Sequence, residues 1–236
     1  MKTIGLIGGM SWESSAVYYR LLNERVRERF GGTSSCRCLL HSVNFAEISR
    51  LQHQSDWDSL SSRMADCAKS LENGGADCIV LCTNTMHVCR EAIESASSLP
   101  LIHIAAATGE AIRGHGYRRA GLLGTRFTME KTFYSDMLSE RYGIETVVPD
   151  TPGRETVHRI IYEELVCGVI RSESKQALLE VMGSMLEDRV DGFILGCTEL
   201  PLLVETGDVE AGGRILPLWD TTSIHVDAAL DFANES

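Results

Sequence analysis

The chain has 236 residues, of which 44% are hydrophobic and 23% charged, a length that holds one large domain or two small ones and an apolar share that excludes a disordered chain. With 33 acidic and 22 basic residues the net charge is −11, so the surface repels phosphate backbones and a general nucleic-acid binder is excluded as the first expectation. No apolar run approaches the roughly 20 residues of a membrane helix, and Gly8 and Gly9 cut the opening apolar run short of a signal peptide's core.

Short apolar runs bounded by Gly, Pro or polar residues predict strands at Thr3–Gly8, Cys38–Val43, Cys78–Cys82, Leu99–Ile104, Ala120–Gly124, Glu145–Val148, Gly192–Gly196 and Ile215–Trp219. Helical spacing appears between them, in Val17-Tyr18 with Leu21-Leu22 and Val26, in Ile160-Ile161 with Leu165, and in Leu178-Leu179 with Met182. Strands alternating with helices predict an α/β fold of parallel sheets with helices on both faces.

The order of the runs repeats. Ile4–Gly8 resembles Ala120–Gly124 at an offset of 116 residues, Asp77–Thr83 resembles Asp191–Cys197 at 114, and Leu99–Leu101 resembles Leu216–Leu218 at 117. The alternative is chance likeness among buried strands. A duplication predicts two similar α/β lobes, residues 1–102 plus 207–236 and residues 103–206, with Arg214–Ser236 returning to complete the first. Ligands of such sheets bind beyond the carboxyl ends of the strands. Thr83 and Cys197 hold matching places there, so the expectation is an active site in the cleft between the lobes with these side chains on opposite walls.

Eight cysteines occur without a Cys-x-x-Cys pair, in a chain too long for a typical disulfide scaffold, which reads as a reducing cytoplasm. Cys82, His87 and Cys89 lack the spacing of a zinc site, and no metal is expected. In Gly196-Cys197-Thr198-Glu199, Gly196 allows a sharp exit from the strand and Cys197 is expected at a helix N-terminus, a setting that favours a thiolate; a buried structural cysteine is the alternative. Glu199 either shares a proton with that thiol or caps the helix. Thr83, Asn84 and Thr85 offer donors for a carboxylate or phosphate, or are plain caps. His87 is a hydrogen-bonded helper or simply a histidine beneath that turn. The Gly8-Gly9-Met10-Ser11-Trp12-Glu13-Ser14 turn is not a dinucleotide fingerprint, and Gly124-Thr125-Arg126-Phe127-Thr128-Met129 is its counterpart.

Those motifs taken together, Gly-Gly-Met-Ser-Trp-Glu-Ser, Cys-Thr-Asn-Thr-Met-His and Gly-Cys-Thr-Glu, resemble the aspartate/glutamate racemase family over essentially the whole chain, most closely its enterobacterial subgroup. The resemblance implies a PLP-independent enzyme with no cofactor, two pseudo-symmetric lobes, a homodimer, and acidic amino acids as substrates. It implies one cysteine per lobe acting on opposite faces of Cα; here Cys197 fits the second motif and Thr83 replaces the first cysteine. An unassisted hydroxyl is a poor base, so the expected racemase is asymmetric, and the resemblance suggests a preference for the L enantiomer. It further carries over Met10, Gln52, Thr83, Asn84, Thr85 and Thr198 as substrate-binding residues. Near position 166, where relatives place a cation, the chain has Val166 and Cys167, so the group for the distal carboxylate is open, with Arg50 one candidate. Two other readings fit a single cysteine: an enzyme resembling arylmalonate decarboxylases, and a non-catalytic binding protein for acidic amino acids.

Overall fold

The computed structural model describes residues 1–235. In chain order the elements are β1 (Ile4–Gly8), α1 (Trp12–Phe30), β2 (Cys38–Ser42), α2 (Phe45–His53), α3 (Trp57–Asn73), β3 (Cys78–Leu81), α4 (Arg90–Ala96), β4 (Leu101–Ile102) and α5 (Ile104–Gly114). There follow β5 (Arg119–Gly124), α6 (Arg126–Glu130), α7 (Thr132–Tyr142), β6 (Glu145–Val147), α8 (Thr151–Arg159), α9 (Ser172–Ser184), β7 (Gly192–Gly196), β8 (Glu210–Ala211), β9 (Arg214–Ile215), β10 (Leu218–Asp220) and α10 (Thr221–Asn234).

Two four-stranded sheets form, in the orders β2-β1-β3-β4 and β10-β7-β5-β6, and every pairing within them is parallel. Read from its other edge, the second sheet is β6-β5-β7-β10, so β5, β7 and β10 take the places of β1, β3 and β4. These are the strands matched by the internal repeat.

The units are residues 1–104 with α10 from His225 onward, and Ala105–Ile224. The expected boundaries at 102/103 and 206/207 therefore shift. The chain after 206 does not return at once to the first lobe: Leu218–Asp220 pairs with Phe193–Leu195 as the edge of the second sheet, and only from His225, within the helix after it, does the chain belong to the first unit. Hydrogen bonding decides this, because the Pro217 carbonyl accepts from Phe193 N–H at 2.9 Å and starts the ladder. Ile215, expected in that strand, instead pairs with Glu210 in the antiparallel β8-β9 hairpin.

Alternation along the strands sorts the first unit's core into two layers. Ile7, Ile79 and Leu81 face one cluster, with Ile48, Leu60, Met64 and Ile93 from α2, α3 and α4. Ile4, Leu6, Cys78, Val80 and Cys82 face the other, against Tyr18, Leu22 and Val26 of α1 and Val226 and Leu230 of α10. Both faces are covered, which is why these strands read as continuous apolar runs. In the second unit Leu123, Phe193 and Leu195 pack with Val157, Ile160, Leu178 and Met182.

Candidate active site

In the first unit two turns leave adjacent strands level with each other, since Ile7 of β1 pairs with Leu81 of β3. The first is Gly8-Gly9-Met10. Gly9 has φ +88°, and a Cβ there would run into the Val43 backbone, so glycine is required. Its N–H donates to Ser15 Oγ at 2.7 Å, and Ser11 Oγ caps α1 by accepting from Ser14 N–H at 3.2 Å. Met10 is buried in the layer beneath. Gln52, the last-but-one residue of α2, is also buried and donates its amide to Met86 Sδ at 3.2 Å, beside the second turn.

That second turn is Thr83-Asn84-Thr85, followed by a five-residue 3-10 helix, Thr85–Cys89, that no side chain caps. Thr83 is half-buried, and Asn84 and Thr85 are buried. His87 uses both ring nitrogens on the backbone. Ile104 N–H donates to Nε2 at 3.2 Å, so Nε2 carries the lone pair and Nδ1 the proton, which goes to the Thr83 carbonyl at 2.9 Å. Burial, together with His103 at 4.5 Å and His225 at 5.8 Å between ring centroids, pushes its pKa well down. His87 is thus a neutral strut under Thr83. His225 is its companion: Nε2–H donates to the Ile102 carbonyl at 2.7 Å and Nδ1 accepts from Tyr18 O–H at 2.9 Å, and burial holds its pKa down at about 4. Cys82 points into the layer of Ile4, Leu6 and Val80, with its thiol pushed up by burial. Arg50 is exposed and bonded to Gln54 Oε1 at 2.7 Å.

In the second unit Gly124 of β5 pairs with Gly196 of β7, so Thr125-Arg126 and Cys197-Thr198 also leave neighbouring strands level. Here one expectation is corrected. No α-helix starts at Cys197; only a 3-10 turn, Leu200–Leu202, follows, and it has no macrodipole of consequence. The Cys197 Sγ instead donates to Glu199 Oε2 at 3.0 Å, and Thr198 Oγ1 donates to the same oxygen at 2.6 Å. Burial first, then the Glu199 charge, push the thiol well above its ordinary value, against a smaller pull from the Thr198 and Glu199 N–H groups. The resting group is a protonated thiol held against a buried carboxylate, not a ready thiolate.

Two neighbours were not singled out from the sequence. Tyr162 lies on a π turn, Ile160–Glu164, that extends α8; its hydroxyl is pushed up by burial and by Cys197 and pulled down by Arg126. The π turn has no composition signal. Arg126 was legible only as the residue two past a strand-end glycine. Among the described residues no group of three or more His, Cys, Asp or Glu side chains is placed to hold a metal, and no helix is long and apolar enough to cross a membrane.

Known proteins resemble this chain in sequence and in fold. A family model for Asp/Glu/Hydantoin racemase matches residues 7–229. The chain belongs to the Asp/Glu/Hydantoin racemase family. As a member it is an amino-acid racemase. The solved structure of a Yersinia pestis protein named for Asp/Glu racemases is 47% identical, with a TM-score of 0.91 and 100% of both chains covered. An aspartate racemase homologue from Pyrococcus horikoshii is 34% identical, with a TM-score of 0.84 and again 100% of both covered. The broad specificity amino-acid racemase RacX of Bacillus subtilis is 24% identical over 212 residues, 86% of this chain and 87% of that protein. Unliganded arylmalonate decarboxylase, at 16% identity and a TM-score of 0.53, shares the fold alone.

Proposed function

We propose that this family member racemises an acidic amino acid, aspartate or glutamate, without a cofactor, by removing the Cα proton on one face and returning a proton on the other. Cys197 serves one face and Thr83 the other. The observation that carries this is the matched placement of the two residues: each stands two positions past a paired strand residue, Leu81 opposite Ile7 and Leu195 opposite Leu123, in equivalent places of equivalently ordered sheets. Met10, Gln52, Asn84, Thr85 and Thr198 are the proposed binding groups around them.

The thiol supports an active role through Glu199. For Cys197 to take a proton from Cα it must first be a thiolate, and the carboxylate 3.0 Å away accepts the thiol proton. When the substrate carbanion forms from the Thr83 side, the same protonated thiol is the donor that quenches it. Among the described residues no carboxylate is bonded to the Thr83 hydroxyl: the groups fixed around Thr83 hold its backbone, through His87 and Leu81. A hydroxyl without a base abstracts Cα protons poorly, so the enzyme is asymmetric, and the family resemblance favours the L enantiomer. The expected homodimer is checked by sedimentation, and cytoplasmic residence by cell fractionation.

The test is α-proton exchange in heavy water from each pure enantiomer of aspartate and glutamate. Faster exchange from one enantiomer is the expected result. Equal rates overturn the asymmetry, and no exchange from any of the four overturns the reaction.

A further inference from the structure

We propose that Arg126 is the specificity-determining residue of this racemase, its guanidinium receiving the side-chain carboxylate of the acidic amino acid whose Cα faces Cys197. The inference rests on the proposed role of Cys197. A substrate that brings two carboxylates to a site already holding the Glu199 carboxylate needs a cation for the distal one; Val166 and Cys167 supply none, and the exposed Arg50 bonds to Gln54.

Three features of the second unit place Arg126 for this. The Gly124–Gly196 pairing sets Arg126 and Cys197 on the exits of adjacent strands, two residues and one residue past the paired glycines. The Arg126 backbone is held in place: its N–H donates to His158 Nδ1 at 3.2 Å, and Thr125 Oγ1 accepts from Thr128 N–H at 3.3 Å, so the turn is fixed while the long side chain is exposed. Finally, Arg126 takes part in none of the ion pairs found among the described residues; its guanidinium lies 5.8 Å from the centroid of the Phe127 ring. The Tyr162 hydroxyl is pushed up by Cys197 and pulled down by Arg126, in keeping with that placement. A planar guanidinium with parallel N–H donors suits a terminal carboxylate, and reads it against an amide or a methyl group.

The experiment compares the full chain with its R126Q and R126K variants. The readouts are kcat and KM for α-proton exchange from L-aspartate and L-glutamate, and the alkylation rate of Cys197 without substrate. Expected is a KM for both acids raised about 10- to 100-fold in R126Q, as for a lost charge-assisted hydrogen bond, with kcat within about threefold, and partial recovery in R126K. Cys197 alkylation stays unchanged, which a collapsed turn would not allow. An unaltered KM in R126Q, or a loss confined to kcat, overturns the assignment while leaving the racemase reading intact. Absence of exchange in the unsubstituted chain removes both.

Discussion

Glu199→Gln separates the two effects that one carboxylate has on Cys197. The substitution keeps the shape and removes the charge whose oxygen sits 3.0 Å from the sulfur. A unit charge about 4 Å away is worth about 1 kcal/mol in water-like surroundings and about 4 kcal/mol at an effective dielectric of about 20. Removing that charge lets the Cys197 thiol fall, and it stays above its ordinary value only as far as burial, the larger cause, holds it there. The assay is alkylation by iodoacetamide against pH, followed peptide by peptide by mass spectrometry. Cys38, whose thiol is pulled down by Cys36, is followed in the same digest as a second reactive site. Cys197 should alkylate at lower pH in the variant, while proton exchange from the favoured enantiomer drops by about 100-fold or more, the usual size of a lost proton acceptor. A more reactive thiol with a slower reaction is the expected signature. If alkylation does not shift, Glu199 is not in electrical contact with the sulfur and the argument fails; if alkylation and exchange rise together, Glu199 only suppresses the thiol and is not its proton acceptor.

Cys197→Ser should abolish exchange from the favoured enantiomer while L-aspartate still binds, as calorimetry checks; retained exchange would move the chemistry elsewhere. Thr83→Cys should raise exchange from the slow enantiomer by about 10-fold or more and bring the two rates together, and an unchanged ratio would show that Thr83 does not face the substrate. Thermal melts should show stability falling as pH drops. His225 has a folded pKa of about 4 against an ordinary 6.5, so its contribution, about 3 kcal/mol by linkage, is whole above about pH 6.5 and lost progressively toward pH 4; His87, shifted the same way, adds to it, and His225→Phe should flatten that slope. Gly9→Ala should cost about 2 kcal/mol or more in urea melts, because φ is +88° and the Val43 backbone occupies the space of a Cβ.

Much of this protein was legible in one dimension. Buried parallel strands must be apolar on both faces, so Ile4–Gly8, Cys78–Leu81 and Gly192–Gly196 announced themselves, and their repetition at nearly constant offset disclosed two equivalent sheets and the equivalence of Thr83 with Cys197. Local chemistry carried that far because strand burial and strand-end turns depend on a few adjacent residues. Three things depended on folding in space. The edge strand Leu218–Asp220 joined the second sheet, since pairing is chosen by which ladder has an open edge and not by sequence position. The Cys197 thiol moved up rather than down, since burial and a carboxylate two residues away outweigh a helix end that never forms. His87, Tyr162 and Arg126 acquired their settings from Ile104, Cys197 and His158, residues 17 to 35 positions distant in the chain, and no motif of adjacent residues can encode such contacts.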